Sequence, residues 1–321
     1  MRDIWANPIR WCHISAIVGS ILWLVLLGAL PVSGDDISTA TYLTLLALLV
    51  VAPLTIGLAA PAPAAPRRLF WLAVAVQPAA SLLAVTSFYV PSGPLAALLT
   101  LGWLLLCALV ALLGLERLYR HGRRIEEVCI GAGLLLLPIG GAWLYQARAG
   151  SMSGGGGGGD AVLAAMNAHY ALFATPVLAG MVGRALPCGR TWPWRTFRAS
   201  ACGIIVCTPL LAIGGIVAPP LDEVDAVART ILAAALLALA LLTVLVVAPR
   251  TRPFLAAALL SVSGVAMTLP IFLTWSGAAS ALAGGGGVGG APTPTSHGVA
   301  NALGFVLCGL LAWSIIRPAA R

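Results

Sequence analysis

The chain has 321 residues, of which 60% are hydrophobic and 9% charged, with a mean hydropathy of +1.00. A soluble domain carries about a quarter charged residues, so this composition excludes a soluble globular fold. The net charge of +8 comes from arginine without lysine, and no basic run is interleaved with aromatics, so nucleic acid is not an expected partner.

Apolar runs of about 20 residues, the length of helix that crosses a bilayer, recur along the chain. The first covers about residues 11–31 and is too long, and too lacking in a small-residue cleavage site, to read as a cleaved signal. An acidic loop with Asp35 and Asp36 leads to a second run at about 41–60, interrupted by Pro53 and Gly57. Pro61, Pro63 and Pro66 break the chain before Arg67 and Arg68, and a third run follows at about 69–89 with Gln77-Pro78 inside it. The tight turn Pro91-Ser92-Gly93-Pro94 makes the third and fourth runs an antiparallel pair. The fourth, at about 95–115, ends in a charged stretch from Glu116 to Glu127.

The fifth run, at about 128–145, holds Pro138-Ile139-Gly140-Gly141, and a glycine tract at 154–159 reads as a flexible tether. The sixth covers about 160–183, the seventh about 199–218 with Pro209, the eighth about 230–247, and the ninth about 254–275 with Pro270. A second glycine-rich tract at 284–290 precedes a tenth run at about 295–316.

The arginines test this count. With the N-terminus on the cytoplasmic side, alternation collects all 18 except Arg148 and Arg229 on that side, as the positive-inside rule requires. The expected fold is therefore all-α: a polytopic transmembrane bundle of about ten spans in the cell membrane, both termini cytoplasmic, with residues 1–321 forming one membrane domain. Tyr89, Trp143 and Trp275 fall near one set of span ends and Trp11, Trp71 and Trp313 near the other, as an interfacial aromatic belt would place them. Five spans plus five allow an inverted repeat of 1–150 against 160–321, with a weak echo between Pro53-Leu54-Thr55-Ile56-Gly57 and Pro209-Leu210-Leu211-Ala212-Ile213-Gly214.

Polar residues at membrane depth mark the candidate site, because burying them there is costly. No Asp, Glu or Arg lies in the interior of a span, which counts against carboxylate-coupled antiport. What remains is Gln77 in span three, Asn167, His169 and Tyr170 in span six, and His297 with Asn301 in span ten. Asn167 and Tyr170 are three residues apart, and His297 and Asn301 four, so each pair is expected to share a helix face. The functional reading is a ligand-binding pocket between spans six and ten, lined by these six residues, with Pro53, Pro138, Pro209 and Pro270 freeing carbonyls that coordinate the ligand. The competing reading is interhelical hydrogen bonding. His13 and His121, near span ends, read as structural. Two histidines without a carboxylate make a thin ligand set for a catalytic zinc. The seven cysteines are scattered without a C-x-x-C, so no metal centre is expected, and no signature names a cofactor.

His297-Gly298-Val299-Ala300-Asn301-Ala302-Leu303-Gly304-Phe305 resembles the H-G-x-x-N-A-x-G-F motif that closes the YndJ-like membrane proteins. Ala52-Pro53-Leu54 with Gly57-Leu58, Gln77-Pro78-Ala79-Ala80 and Leu137-Pro138-Ile139-Gly140-Gly141-Ala142-Trp143 resemble that family in the same order. Span six departs from it: where the family reads H-F-H-[YF]-A-G-F, this chain has Asn167, Ala168, His169, Tyr170, Ala171, Leu172 and Phe173. One imidazole is replaced, so a mechanism needing two there would be impaired. The resemblance implies a polytopic bacterial membrane protein, for which transport or binding of a small molecule is the leading expectation. An intramembrane enzyme acting on a lipid-like substrate, with His169 or His297 as general base, is the alternative.

Overall fold

A computed structural model describes residues 7–29, 39–60, 68–150, 158–214, 222–282 and 298–318. All regular structure among them is helical. The elements are α1 (Pro8–Ala29), α2 (Thr39–Leu58), α3 (Arg68–Tyr89), α4 (Pro94–His121), α5 (Ile125–Ala149), α6 (Asp160–Ala185), α7 (Trp192–Gly214), α8 (Asp222–Leu242, extended through Arg250), α9 (Phe254–Leu282) and α10 (Ala300–Ile316). Seven of these, α1 to α6 and α8, are long and apolar enough to cross a membrane. Both glycine tracts, apart from Gly158 and Gly159, lie outside the described residues, as do Asp35, Asp36 and His297.

The helices form two compact units, Met1–Tyr119 with Gly133–Ala174, and Arg120–Ala132 with Thr175–Arg321. In the first, α2 is buried along nearly its whole length, whereas α1 buries few of its side chains and exposes Ile17, Val18, Ile21, Leu24 and Val25. An exposed apolar helix face is what lipid contact requires. The first half of α6, α3 and α1 all pack on α2, and Leu45, Leu48, Ile56, Phe70, Trp103 and Phe173 fill the core. In the second unit α7, α8, α9 and α10 pack in sequence, each on the next, over Phe197, Ile204, Leu260 and Leu310. Trp313, expected in the interfacial belt, is 1% exposed. Its ring packs inward beside a small apolar cavity lined by Leu178, Leu260 and Phe305, because its place on the helix face, more than its distance from the span end, decides what it meets.

Four of these helices contain π-helical segments: Ala47–Val51 in α2, Ala168–Ala174 in α6, Thr243–Val247 after α8 and Ala300–Leu307 in α10. Three of the four end two residues before a proline, Pro53, Pro176 and Pro249, whereas Pro78, Pro138 and Pro209 sit inside helices that run on through them.

Two arginines close helix ends inside the first unit. Arg117 of α4 donates to the Ala59 and Ala60 carbonyls beyond α2. Arg148 of α5 donates to the carbonyls of Ser87 (2.8 Å) and Val90 (2.7 Å) at the end of α3, and its guanidinium lies 5.0 Å from the centre of the Phe88 ring. A cation at a helix C-terminus satisfies carbonyls that have no helical donor and complements the helix dipole.

Gly19 fixes the approach of α1 to α2. A Cβ at this position would stand 2.1 Å from the Leu49 carbonyl oxygen, whereas one at Gly28 would meet nothing within 4 Å. Gly19→Ala is expected to cost about 1–3 kcal/mol, because the clash is with backbone that has no rotamer to yield. Gly28→Ala should be neutral or stabilising by up to about 1 kcal/mol through helix propensity. Unfolding of the two variants by denaturing detergent in mixed micelles measures the contrast; equal stability would show that α1 does not sit on Leu49.

Candidate functional site

Of the polar residues picked out at membrane depth, Gln77, His169 and Tyr170 have definite partners within the first unit. In α2, the Ala52 N–H donates to Ala47 O, five residues back, as a π turn requires. It is therefore withdrawn from Leu48, which it would serve in an α-helix. The donor one place further on would be Pro53, which has no N–H. Leu48 O thus loses both of its helical donors. The Ser81 hydroxyl of α3 donates to it at 2.8 Å. Gln77 Nε2 donates to Ser81 Oγ at 2.8 Å, and the Ser15 hydroxyl of α1 donates to Gln77 Oε1 at 2.6 Å. The chain Ser15–Gln77–Ser81–Leu48 links three helices, and Gln77 is 3% exposed within it. The neighbouring Leu49 carbonyl, whose α-helical donor would also be Pro53, faces Gly19. The Leu48 carbonyl freed at Pro53 is thus taken up by a neighbouring helix inside the protein.

His169 lies in the π segment of α6 and is fully buried. The Trp103 indole of α4 donates to its Nε2 at 3.1 Å, and its Nδ1 is 2.7 Å from Ala165 O. An indole N–H can only donate and a carbonyl can only accept. These partners fix the neutral tautomer with its proton on Nδ1 and its one lone pair turned toward Trp103. The two ring centroids are 5.6 Å apart at an interplanar angle of 37°. Gly140 of α5 closes the remaining edge: a Cβ there would fall 2.9 Å from both Cε1 and Nδ1 of the imidazole. The glycine makes the room that the ring occupies.

Tyr170 is 1% exposed and its hydroxyl donates to Leu43 O, one turn before the π segment of α2, at 2.9 Å. Asn167, expected on the same face, is exposed. The α-helical part of α6 ends at Asn167 and the π segment begins at Ala168. A π turn, closed by i→i+5 bonds, rotates the chain less per residue, so three residues no longer complete the turn that brings i and i+3 together. In the second unit Asn301 is half-buried within the π segment of α10. There the Ser263 hydroxyl of α9 donates to Phe305 O at 2.7 Å, the same use of a neighbouring serine on a π-segment carbonyl.

Trp103, Ser81, Ser15 and Ser263 were not among the residues singled out from the sequence. Trp103 carried a signal, since an indole in the middle of a span lies away from any interfacial belt and needs an acceptor. The serines carried none, being common packing residues in membrane helices. No group of three or more His, Cys, Asp or Glu able to hold a metal occurs among the described residues.

Residues 42–305 match a family model described as YndJ-like protein. No curated protein and no solved structure gives a match. The match begins within α2 and ends within the π segment of α10, so it reaches every π segment and includes every buried polar contact described above except Ser15.

The dependence of Ser81 on Pro53 is open to a double-mutant cycle. Ser81→Ala alone is expected to cost about 1–2 kcal/mol by leaving Leu48 O without a donor. In a Pro53→Ala background, where position 53 regains an N–H, that cost should shrink to a few tenths. Detergent unfolding of the four proteins measures the coupling, and strictly additive effects would separate Ser81 from the Pro53 break.

Proposed function

The chain belongs to the YndJ-like protein family, and from that membership and its long apolar helices we propose that it is a multi-pass membrane protein that carries or binds a small molecule within its helices. The observation that carries this reading is the recurrence of π-helical segments inside apolar helices, three of them tied to side chains of neighbouring helices. π-helical turns are rare and concentrate at functional sites, and interrupted helices at membrane depth are the usual ligand-binding elements of transporters. Gln77, His169 and Tyr170 act in this reading as the holding contacts of the π segments in the first unit. His169, with one nitrogen held by an indole and the other by a carbonyl, has no lone pair to offer as a general base, which favours binding and movement over catalysis.

The proposed topology has ten spans in the cell membrane, both termini cytoplasmic. It adds α7, α9 and α10 to the seven helices that meet the length and hydropathy requirement, and it rests on the one-sided distribution of arginine. In this arrangement the turn at Ser92 is external and the loops containing Arg123 and Cys188 are cytoplasmic.

Cys188 and Ser92 are both exposed, which makes the topology testable with little alteration. On intact cells a membrane-impermeant maleimide should label Ser92→Cys and spare native Cys188, which should react once the membrane is permeabilised. Labelling of Cys188 from outside would overturn the assignment. The carrier reading is tested by identifying small molecules that copurify with the protein and measuring their uptake into proteoliposomes. Uptake should fall with Trp103→Phe, which frees the His169 lone pair and loosens the π segment. Copurifying compounds that are neither moved nor bound reversibly would sink the reading.

A further inference from the structure

In the second unit, the loop between α4 and α5, the loop between α6 and α7 and the first turns of α5 and α7 line a cleft of about 640 Å³. Its lining includes three arginines, Arg123, Arg124 and Arg198, and one acidic residue, Glu126, together with Trp194 and Cys188. All three arginines are exposed, and their guanidinium groups have no hydrogen-bond or ion-pair partner among the described residues. The adjacent carboxylate, Glu127, is unavailable to them. It is 2% exposed and binds Arg184 through both oxygens, at 2.7 and 2.9 Å. Glu126 is buried with its backbone carbonyl against Gly180, so it offers one charge against three.

We propose that this cleft is a binding site for a phosphate-bearing anion. Like charges gathered in one concavity repel each other unless a counter-charge enters, and the protein supplies too few carboxylates to provide it. Guanidinium groups donate paired, planar N–H bonds that match phosphate oxygens, and several of them converging suit a tetrahedral, multiply charged group better than a single carboxylate. A cleft of this volume lies in the range of small-ligand sites, which leaves room for the atoms attached to the phosphate, and the Trp194 ring gives those atoms an apolar flank. Glu126 and Glu127 already occupy the first turn of α5 and complement its dipole, so the attraction rests on the arginines and not on the helix terminus. The same phosphate chemistry is offered by a soluble phosphorylated molecule and by the headgroup of an acidic phospholipid.

The exposed Cys188 in the cleft wall reports on occupancy, with a Ser92→Cys substitution in the exposed turn assigned to the other side of the membrane as internal reference. The full chain, reconstituted in phosphatidylcholine nanodiscs, is alkylated with a maleimide while inorganic phosphate is titrated in one arm and phosphatidylglycerol replaces part of the lipid in the other. In at least one arm Cys188 alkylation should slow saturably, by about tenfold once the ligand is well above its Kd, with the cysteine at position 92 unaffected. Protection by inorganic phosphate identifies a soluble phosphorylated ligand, and protection by phosphatidylglycerol alone identifies a lipid headgroup. The triple variant Arg123→Gln, Arg124→Gln, Arg198→Gln should lose the protection. A control that removes the same charge elsewhere, Arg10→Gln, Arg68→Gln, Arg252→Gln, should keep it. Absent or unsaturable protection of the chain with all its arginines in both arms, or equal loss in the two triple variants, would overturn the proposal; the first of these outcomes is decisive even where the triple variant does not fold.

Discussion

A peptide carbonyl at membrane depth that loses its helical N–H has no water to replace it, and leaving it bare costs several kcal/mol. In α2 this happens through two local features acting together. The π turn at Ala47–Val51 moves the Ala52 N–H to Ala47 O, and Pro53 removes the next donor along. The buried amide of Gln77, which looks like an extravagance in an apolar helix, follows from that loss. It orients the Ser81 hydroxyl toward Leu48 O and is itself held by Ser15. The close approach of α1 at Gly19 follows from it as well, since the Leu49 carbonyl stands where a larger side chain would have to go.

The other polar contacts repeat this logic with different side chains. Tyr170 serves Leu43 O next to the first π segment, and Ser263 serves Phe305 O within the last. His169 turns the arrangement round: the side chain lies within a π segment and a neighbouring indole supplies the donor. Interhelical hydrogen bonds of this kind contribute only about 0.6–2 kcal/mol each. They are strong enough to select one arrangement of a widened helix and weak enough to be exchanged for another when a ligand offers comparable bonds. A helix tied by such contacts differs mechanically from an uninterrupted one, and this links the packing to the proposed carrier function.

Class and helices were legible from the sequence because they depend on a sum, hydropathy over a span. The polar positions were legible too, since Gln77 and His169 are conspicuous in apolar runs. Their reasons were not. Gln77 answers to Pro53, 24 positions earlier, through a serine that composition cannot distinguish from any packing serine. A π segment leaves no periodic mark, because an apolar helix buried nearly all round keeps its pattern when one residue is inserted. The failed pairing of Asn167 with Tyr170 shows the consequence: an i,i+3 argument presumes α-helical rotation, and the rotation changes between those two residues. The six residues were expected to line one pocket. For Gln77, His169 and Tyr170 the contacts made within the first unit account for burial without a ligand.

The arginines carry more information than a count per side. The two that break the proposed one-sided distribution each have a local partner. Arg148 lies over Phe88 and holds the end of α3, and Arg229 pairs with Asp225 one turn away. A positive charge on the translocated side is easier to accommodate when its bonds are made within its own helix or the adjacent helix end. Pairing does not define the side proposed as cytoplasmic, for Arg117 and Arg184, assigned to it, are committed to a helix terminus and a buried glutamate. Among the described residues the guanidinium groups of Arg123, Arg124 and Arg198 are bare, as are those of Arg10, Arg68, Arg190, Arg195 and Arg252, and what sets the three apart is that they line one cleft. Topology alone would be satisfied by arginines scattered along either loop. It does not require three of them to converge on one concavity beside a tryptophan, and that convergence is what an anionic partner explains.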